Sequence, residues 1–251
     1  LGTQRGGSTM RQPFPQHLAE SVRRAAWSRP IGLPLQHPGR KTESHLVDDG
    51  YYQGIPIGGL GSGSIGRTYR GDFARWHLDV GRHWYGTVAA DQFSVWVSDG
   101  QRSIAQVLWT GRPTDRLRSW HWDYPVGAGT YYALFPRAWF VYDWEPLPVV
   151  LSCKQLSPVI PGNYRESSYP VGVFEWEVYN PTDRSLTVAI MLTGQNPLGW
   201  GDRENGPRGN RNRTVVDDTI PASGVILGRD VAEVSMPWEG ELAIAAKAGP
   251  G

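Results

Sequence analysis

An antiparallel β-sandwich of many short strands is what this sequence predicts, on three observations. Of its 251 residues, 31 are Gly and 20 are Pro, a density of turn-formers that leaves little room for long helices. It carries 12 Trp and 11 Tyr, residue types that suit a pleated, half-buried surface. Apolar and polar residues also alternate in several short runs bounded by Gly, Pro, Asn or Asp.

The elements follow in chain order. Residues 1–45 read as a short helical and irregular N-terminal arm, in which 1–9, "LGTQRGGST", are a tag or an extension. Within the arm, Leu18, Val22, Ala25 and Ala26 share one side of a short helix over 17–27. Pro30, Pro34 and Pro38 then break regular structure. Residues 46–251 are expected to form the sandwich. Phe93, Val95 and Val97 alternate up to a turn at Asp99-Gly100. Val149, Leu151 and Cys153 share a face. Leu186, Val188, Ile190 and Leu192 alternate with Thr187, Ala189, Met191 and Thr193. Between that run and 171–179 stands "NPTD", Asn180 to Asp183, so the two runs are expected to pair as a hairpin. Leu242, Ile244 and Ala246 suggest a last strand. No repeat of fixed period occurs.

Composition excludes several classes of function. The net charge is +1, which gives no reason to expect nucleic acid as a partner. No run of 18 apolar residues spans a membrane. The single cysteine, Cys153, permits no internal disulfide, and the simpler expectation is a reducing, cytoplasmic compartment. Asn212-Arg213-Thr214 matches a glycosylation sequon and is read as chance.

The candidate motifs each meet a plainer alternative. Gly61 to Gly66 fits G-x-G-x-x-G, a dinucleotide fingerprint. That fingerprint needs a buried strand before it and a helix opening within it. Pro56 stands where the strand should be, and Gly71 where the helix interior should be. Gly58, Gly59, Gly61, Gly63, Gly66 and Gly71 therefore read as structural glycines that allow positive φ and close backbone approach. Glu175 and Glu177 flank Trp176. On a strand they point to one face roughly 7 Å apart, a spacing glycosidases use. The favoured reading turns Phe174, Trp176 and Val178 to the core and both glutamates outward. Asp48-Asp49 and Asp217-Asp218 could help hold calcium, but adjacent loop acids are usually solvated, and no metal or cofactor is expected. His17, His37, His45, His77, His83 and His121 show no metal-ligand spacing. Residues 197–214 carry Arg203, Arg208, Arg211 and Arg213; a solvated loop is favoured over a phosphate-binding one. "RHWY" and "SWHWDY" supply His83, Trp84, Tyr85, Trp120, His121 and Trp122. Such aromatics stack on sugar rings or pack a core or a domain interface. No G-x-S-x-G elbow occurs, and a lone strand cysteine is a poor nucleophile.

Several stretches together resemble one family. They are "GIPIGGLGSGSIGRTYRGDFARWHL" (Gly54 to Leu78), "ADQF" (Ala90 to Phe93), "RSWHW" (Arg118 to Trp122), "LFPRAWFVY" (Leu134 to Tyr142) and "SPVIPGNYRESSYPVGVFEWEVYNPTDRSLTVAIML" (Ser157 to Leu192). Their order and spacing are similar to the N-terminal domain of glycoside hydrolase family 116, which includes non-lysosomal glucosylceramidases, also called bile-acid β-glucosidases. The likeness runs from about residue 26 to 195 and continues weakly to the end. It implies a β-sandwich packed on an (α/α)6 barrel, acting on a β-glucoside by a retaining mechanism. The nucleophilic glutamate and the acid/base aspartate of such enzymes lie in the barrel, so no residue of this chain inherits either role, and Glu175 and Glu177 do not match them. The likeness further implies strands beyond Glu241–Ala248, and a catalytic barrel on the remainder of the protein or on a companion chain. The aromatic residues from His83 to Tyr85 and from Trp120 to Trp122 are then candidates for the wall of the substrate cleft or for the interdomain face. A free-standing carbohydrate-binding sandwich is the alternative.

Overall fold

The computed structural model describes residues 20–34, 54–79, 81–113, 117–198, 209–217, 219, 222–230 and 240–247. In chain order the elements begin with α1 (Glu20–Ala25), β1 (Trp27–Pro30), β2 (Pro56–Gly58), β3 (Ser64–Arg67), β4 (Phe73–Asp79) and β5 (Arg82–Tyr85). Next come β6 (Phe93–Ser98), β7 (Ser103–Val107), β8 (Gly129–Leu134), β9 (Arg137–Tyr142) and β10 (Val150–Leu156). The remainder are α2 (Tyr164–Ser167), β11 (Val173–Tyr179), β12 (Thr187–Leu192), β13 (Asn210–Asp217), β14 (Ala222–Arg229) and β15 (Leu242–Lys247). Strands dominate, every pairing is antiparallel, and the expected all-β class is borne out. Among the described residues no helix is long and apolar enough to cross a membrane.

The chain divides into two units, residues 1–193 and 194–251. In the first, a five-stranded sheet ordered β1-β8-β9-β10-β11 forms one layer. A four-stranded sheet, β2-β3-β4-β5, and a three-stranded sheet, β12-β6-β7, supply the rest. One core joins all three: Tyr131, Phe140, Tyr142 and Leu151 from the first, Phe73 and Trp76 from the second, Phe93, Val95 and Val97 from the third. The second unit is a three-stranded meander, β13-β14-β15.

Within the expected N-terminal arm, Trp27–Pro30 adds a strand to the edge of the five-stranded sheet. An edge is where Pro30 does no harm, since proline has no N–H to donate to a second neighbour. The helix over Glu20–Ala25 lies inside the expected 17–27, and Leu18 falls outside the described residues.

One expected pairing is corrected. The run 171–179 and the run 186–193 do not form a hairpin. β11 pairs with β10, whereas β12 pairs with β6 in the opposite layer. Phe174 and Trp176 reach the core from one side, and Val188, Ile190 and Leu192 from the other. Residues 180–186 are therefore an arch between layers. Asn180 shapes it: its Oδ1 accepts from Thr182 N at 3.0 Å and its Nδ2 donates to Arg184 O at 2.7 Å. β12 alternates as expected, and β11 turns Phe174 and Trp176 to the core but leaves Val178 exposed; the expected partner is wrong for both strands.

The basic stretch also differs in part from expectation. Residues 199–208 lie outside the described ones, but Arg211 and Arg213 belong to β13. Their guanidiniums face Asp230 at 2.7 Å and Glu241 at 3.3 Å. Both pairs are exposed, so each contributes at most about 1 kcal/mol.

A buried cation sits inside the core. Arg67 is fully buried. Its guanidinium carbon lies 4.1 Å from the Phe140 ring centre and 4.9 Å from that of Phe93. Nε donates to Gly71 O at 2.9 Å and a terminal nitrogen to the Tyr142 hydroxyl at 2.6 Å. Hydrogen bonds and ring faces together offset the loss of water around the charge.

Candidate functional site

The glycine-rich stretch is a hairpin, not a phosphate loop. β2 pairs with β3 through the loop 59–63, and β3 folds back on β4 through the turn Thr68–Asp72. No helix follows, so the helix N-terminus that a dinucleotide fold offers to phosphate is missing from this segment. Close approach or positive φ explains the glycines; Gly61, at φ +74°, needs only the latter. A Cβ on Gly59 would lie 2.4 Å from Tyr169 O, where the loop packs on the turn after α2. Leu60 N donates to Ser167 O at 2.7 Å in the same contact. Gly71 has φ +101°, and a Cβ there would meet Leu108 O at 2.2 Å. Gly58, Gly61 and Gly63 also take positive φ, and a Cβ on Gly66 would crowd Arg75.

The Glu175 carboxylate accepts from Lys154 Nζ at 2.5 Å on an exposed sheet surface. Phe174 and Trp176 turn to the core as expected, while Val178 is exposed. Cys153 is fully buried, and burial pushes its thiol up to about 12 in spite of the neighbouring Arg67. It stays a protonated thiol at neutral pH and is no nucleophile. The side chains of Asp48, Asp49, Asp217 and Asp218, like His17, His37 and His45, lie outside the described residues. Among the described residues no group of three His, Cys, Asp or Glu could hold a metal ion.

The two aromatic segments lie in different settings. His83, Trp84 and Tyr85 form β5, the outermost strand of its sheet. Trp84 is 48% exposed and Tyr85 49%. The register sets Trp84 opposite Trp76, and their ring centres are 6.2 Å apart. Trp76 is itself fixed, donating Nε1–H to Gly86 O at 3.1 Å. On the other face of the hairpin the His77 and His83 rings meet edge to face, with centres 3.9 Å apart. Tyr85 stands 5.7 Å from His77. Burial, then the nearby His83 and Arg75, hold His77 below its usual value.

Trp120, His121 and Trp122 belong to a loop clamped beside β7. Trp122 is only 8% exposed. It stacks on Trp120 at 5.5 Å and meets Trp109 edge-on at 5.7 Å. Its Nε1–H donates to Leu117 O at 2.7 Å. Buried Gln106 locks the same loop, its Nε2 donating to the carbonyls of His121 and Trp122, each at 3.1 Å. Sequence reasoning missed Gln106, because a single polar residue at the end of an alternating strand carries no distinguishing signal.

This geometry is that of a β-sandwich with aromatic side chains presented at a strand edge and on a clamped loop. Residues 54–251 match the family described as beta-glucosidase 2, glycosyl-hydrolase family 116 N-term. The chain belongs to this family, the N-terminal part of a glycoside hydrolase.

Proposed function

We propose that the chain is the noncatalytic β-sandwich of a retaining β-glucosidase or glucosylceramidase. It braces an (α/α)6 catalytic domain and lends one wall to the substrate cleft. The observation that carries this reading is the half-exposed Trp84 and Tyr85 on an edge strand, backed by rigid partners. Flat aromatic surface that the sandwich itself leaves uncovered suits a domain interface or a sugar face. The family supports the hydrolase setting.

The test uses full-length protein containing these residues. Trp84→Ala together with Tyr85→Ala is expected to lower kcat/KM for a β-glucoside by about tenfold or more, a loss of about 1.4 kcal/mol in transition-state stabilisation. The melting temperature of the sandwich should change little. Unaltered kinetics would remove the hairpin from the cleft. A free-standing carbohydrate-binding sandwich, favoured by the exposed Trp27, Trp84 and Trp96, predicts that unaltered result.

A further inference from the structure

The two ends of the first unit are built differently. At one end stand the turn 99–102 and the arch 180–186, joined by the Arg184–Asp99 ion pair at 2.8 Å. Exposed Arg102, Asp143, Glu145 and Asp183 belong to the same end. At the other end three segments meet: the loop 59–63, the β8–β9 tip at Phe135-Pro136, and residues 157–172. Two buried serines tie them together. Ser157 Oγ accepts from Gly58 N at 3.0 Å and donates to Pro56 O at 3.2 Å. Ser157 N donates to Pro136 O at 3.1 Å. Ser167 Oγ accepts from Ile160 N at 2.8 Å and donates to Ile160 O at 3.2 Å, while Ser167 O accepts from Leu60 N. These polar groups are satisfied internally, and the tips they hold are apolar. Leu60, Phe135, Ile160, Tyr164, Tyr169 and Val171 are all exposed, Phe135 by 56% and Tyr164 by 80%. No Lys and no Asp occurs in 58–63, 134–137 or 157–172. Loops that face only water are ordinarily polar, and clustered exposed apolar side chains mark a contact surface.

We propose that this apolar end docks against the catalytic domain of the same hydrolase. The proposal rests on the role given above and extends it from the β5 hairpin to a docking face. Aromatic and aliphatic tips without lysine or aspartate have the composition of a protein interface core, where Lys, Asp and Glu are depleted. A chain whose family is the N-terminal part of a glycoside hydrolase has such a protein neighbour in the rest of that hydrolase. The same end continues into the β4–β5 hairpin. Ser64, just after the loop 59–63, pairs with His77, and Asp79 pairs with Arg82. The hairpin tip therefore stands beside that loop, at the head of the strand that carries Trp84 and Tyr85. A Cβ on Gly63 would lie 2.7 Å from His77 O, so the two are in close contact. The charged end fits a permanent contact less well, because covering it strips water from its carboxylates and guanidiniums. The serine ties hold the apolar tips in place beforehand, which lowers the ordering cost of docking.

The experiment labels full-length protein containing these residues with hydroxyl radicals, native and denatured, and reads each site by mass spectrometry. Phe135, Tyr164 and Tyr169 are expected to label several-fold more slowly in the native protein. Val126, exposed at the charged end, should label at similar rates in both. The protection should survive a dilution of about tenfold, which would dissolve a contact between separate copies. Tyr164→Asp together with Tyr169→Asp should restore fast labelling of Phe135 and lower the melting temperature by several degrees, although both rings are exposed on the sandwich itself. Gln101→Asp at the charged end should change neither. Tips that label as fast in native as in denatured protein overturn the proposal. Protection lost on dilution assigns the face to a second copy and also overturns it, as does labelling indifferent to the paired Tyr substitutions. The β5 hairpin is scored separately. If the tips are protected while Trp84→Ala with Tyr85→Ala leaves the kinetics unaltered, the docking face stands and the cleft wall falls. If the kinetics fall but the tips label freely, the docking face falls and the cleft wall stands.

Discussion

The segments His83–Tyr85 and Trp120–Trp122 look alike as text, each a histidine among aromatics, yet they occupy opposite settings. The first is the outer strand of a hairpin, with two rings half in solvent. The second is irregular chain, held by a buried glutamine and folded around Trp122. Composition did not decide between them; their neighbours did. β5 has a strand on one side only among the described residues. The loop after Leu117 has β7 beside it, with Val107 N donating to His121 O at 2.8 Å. An aromatic residue at an uncovered edge is available for recognition. One enclosed by other tryptophans contributes stability.

Three measurements break or sharpen that contrast. The largest effect is expected from Trp122→Ala, which removes a buried ring that touches Trp109 and Trp120. Chemical denaturation should show a loss of about 3–5 kcal/mol, while Trp84→Ala loses under about 1 kcal/mol. Equal losses would erase the distinction. Next comes Gln106→Leu, which leaves the carbonyls of His121 and Trp122 without this donor. A loss of about 1–3 kcal/mol is expected, with faster hydrogen exchange confined to residues 117–124. Exchange unchanged there would mean that the loop holds itself. The smallest effect concerns pH. His77 sits below its ordinary 6.5 in the folded chain, so the unfolded chain takes up the proton more readily. Stability should be full above about pH 6.5 and decline as pH falls toward the lowered folded value. His77→Gln should flatten this part of the melting-temperature profile between pH 7.5 and 5.5. An unaltered slope would show that the histidine pair on the hairpin is electrostatically silent.

Local pattern was the legible part of this fold. Phe93, Val95 and Val97 announced an inward face, and all three are buried. Gly71 argued against a helix after the glycine-rich stretch, and a turn stands there, with Gly71 N donating to Thr68 O at 2.9 Å. Pairing across the sandwich was not legible. The alternation in β12 is satisfied equally by any strand offering a matching face, and its true partner, β6, lies far upstream. Arg67 was hidden for a different reason. An arginine among Gly, Thr and Tyr reads as solvated, and only the folded arrangement of Phe93, Phe140 and Tyr142 makes its burial tolerable. The candidate site was half visible. Residue type named the aromatics, but which rings stay uncovered depends on the sheet edges.

The arch over residues 180–186 bears on how the chain reaches this state. Thr187 pairs with Ser98, so β7 through β11 are synthesised between the two partners. Contacts that distant in sequence slow folding, since a long loop must close before they form. On the ribosome, β6 waits with β7 alone, one row of backbone donors and acceptors uncovered, until β12 emerges. An open edge of that kind is where a nascent chain pairs with the wrong neighbour. The order of synthesis therefore leaves one edge of β6 open until β12 is made, although in the finished sandwich it is a central strand.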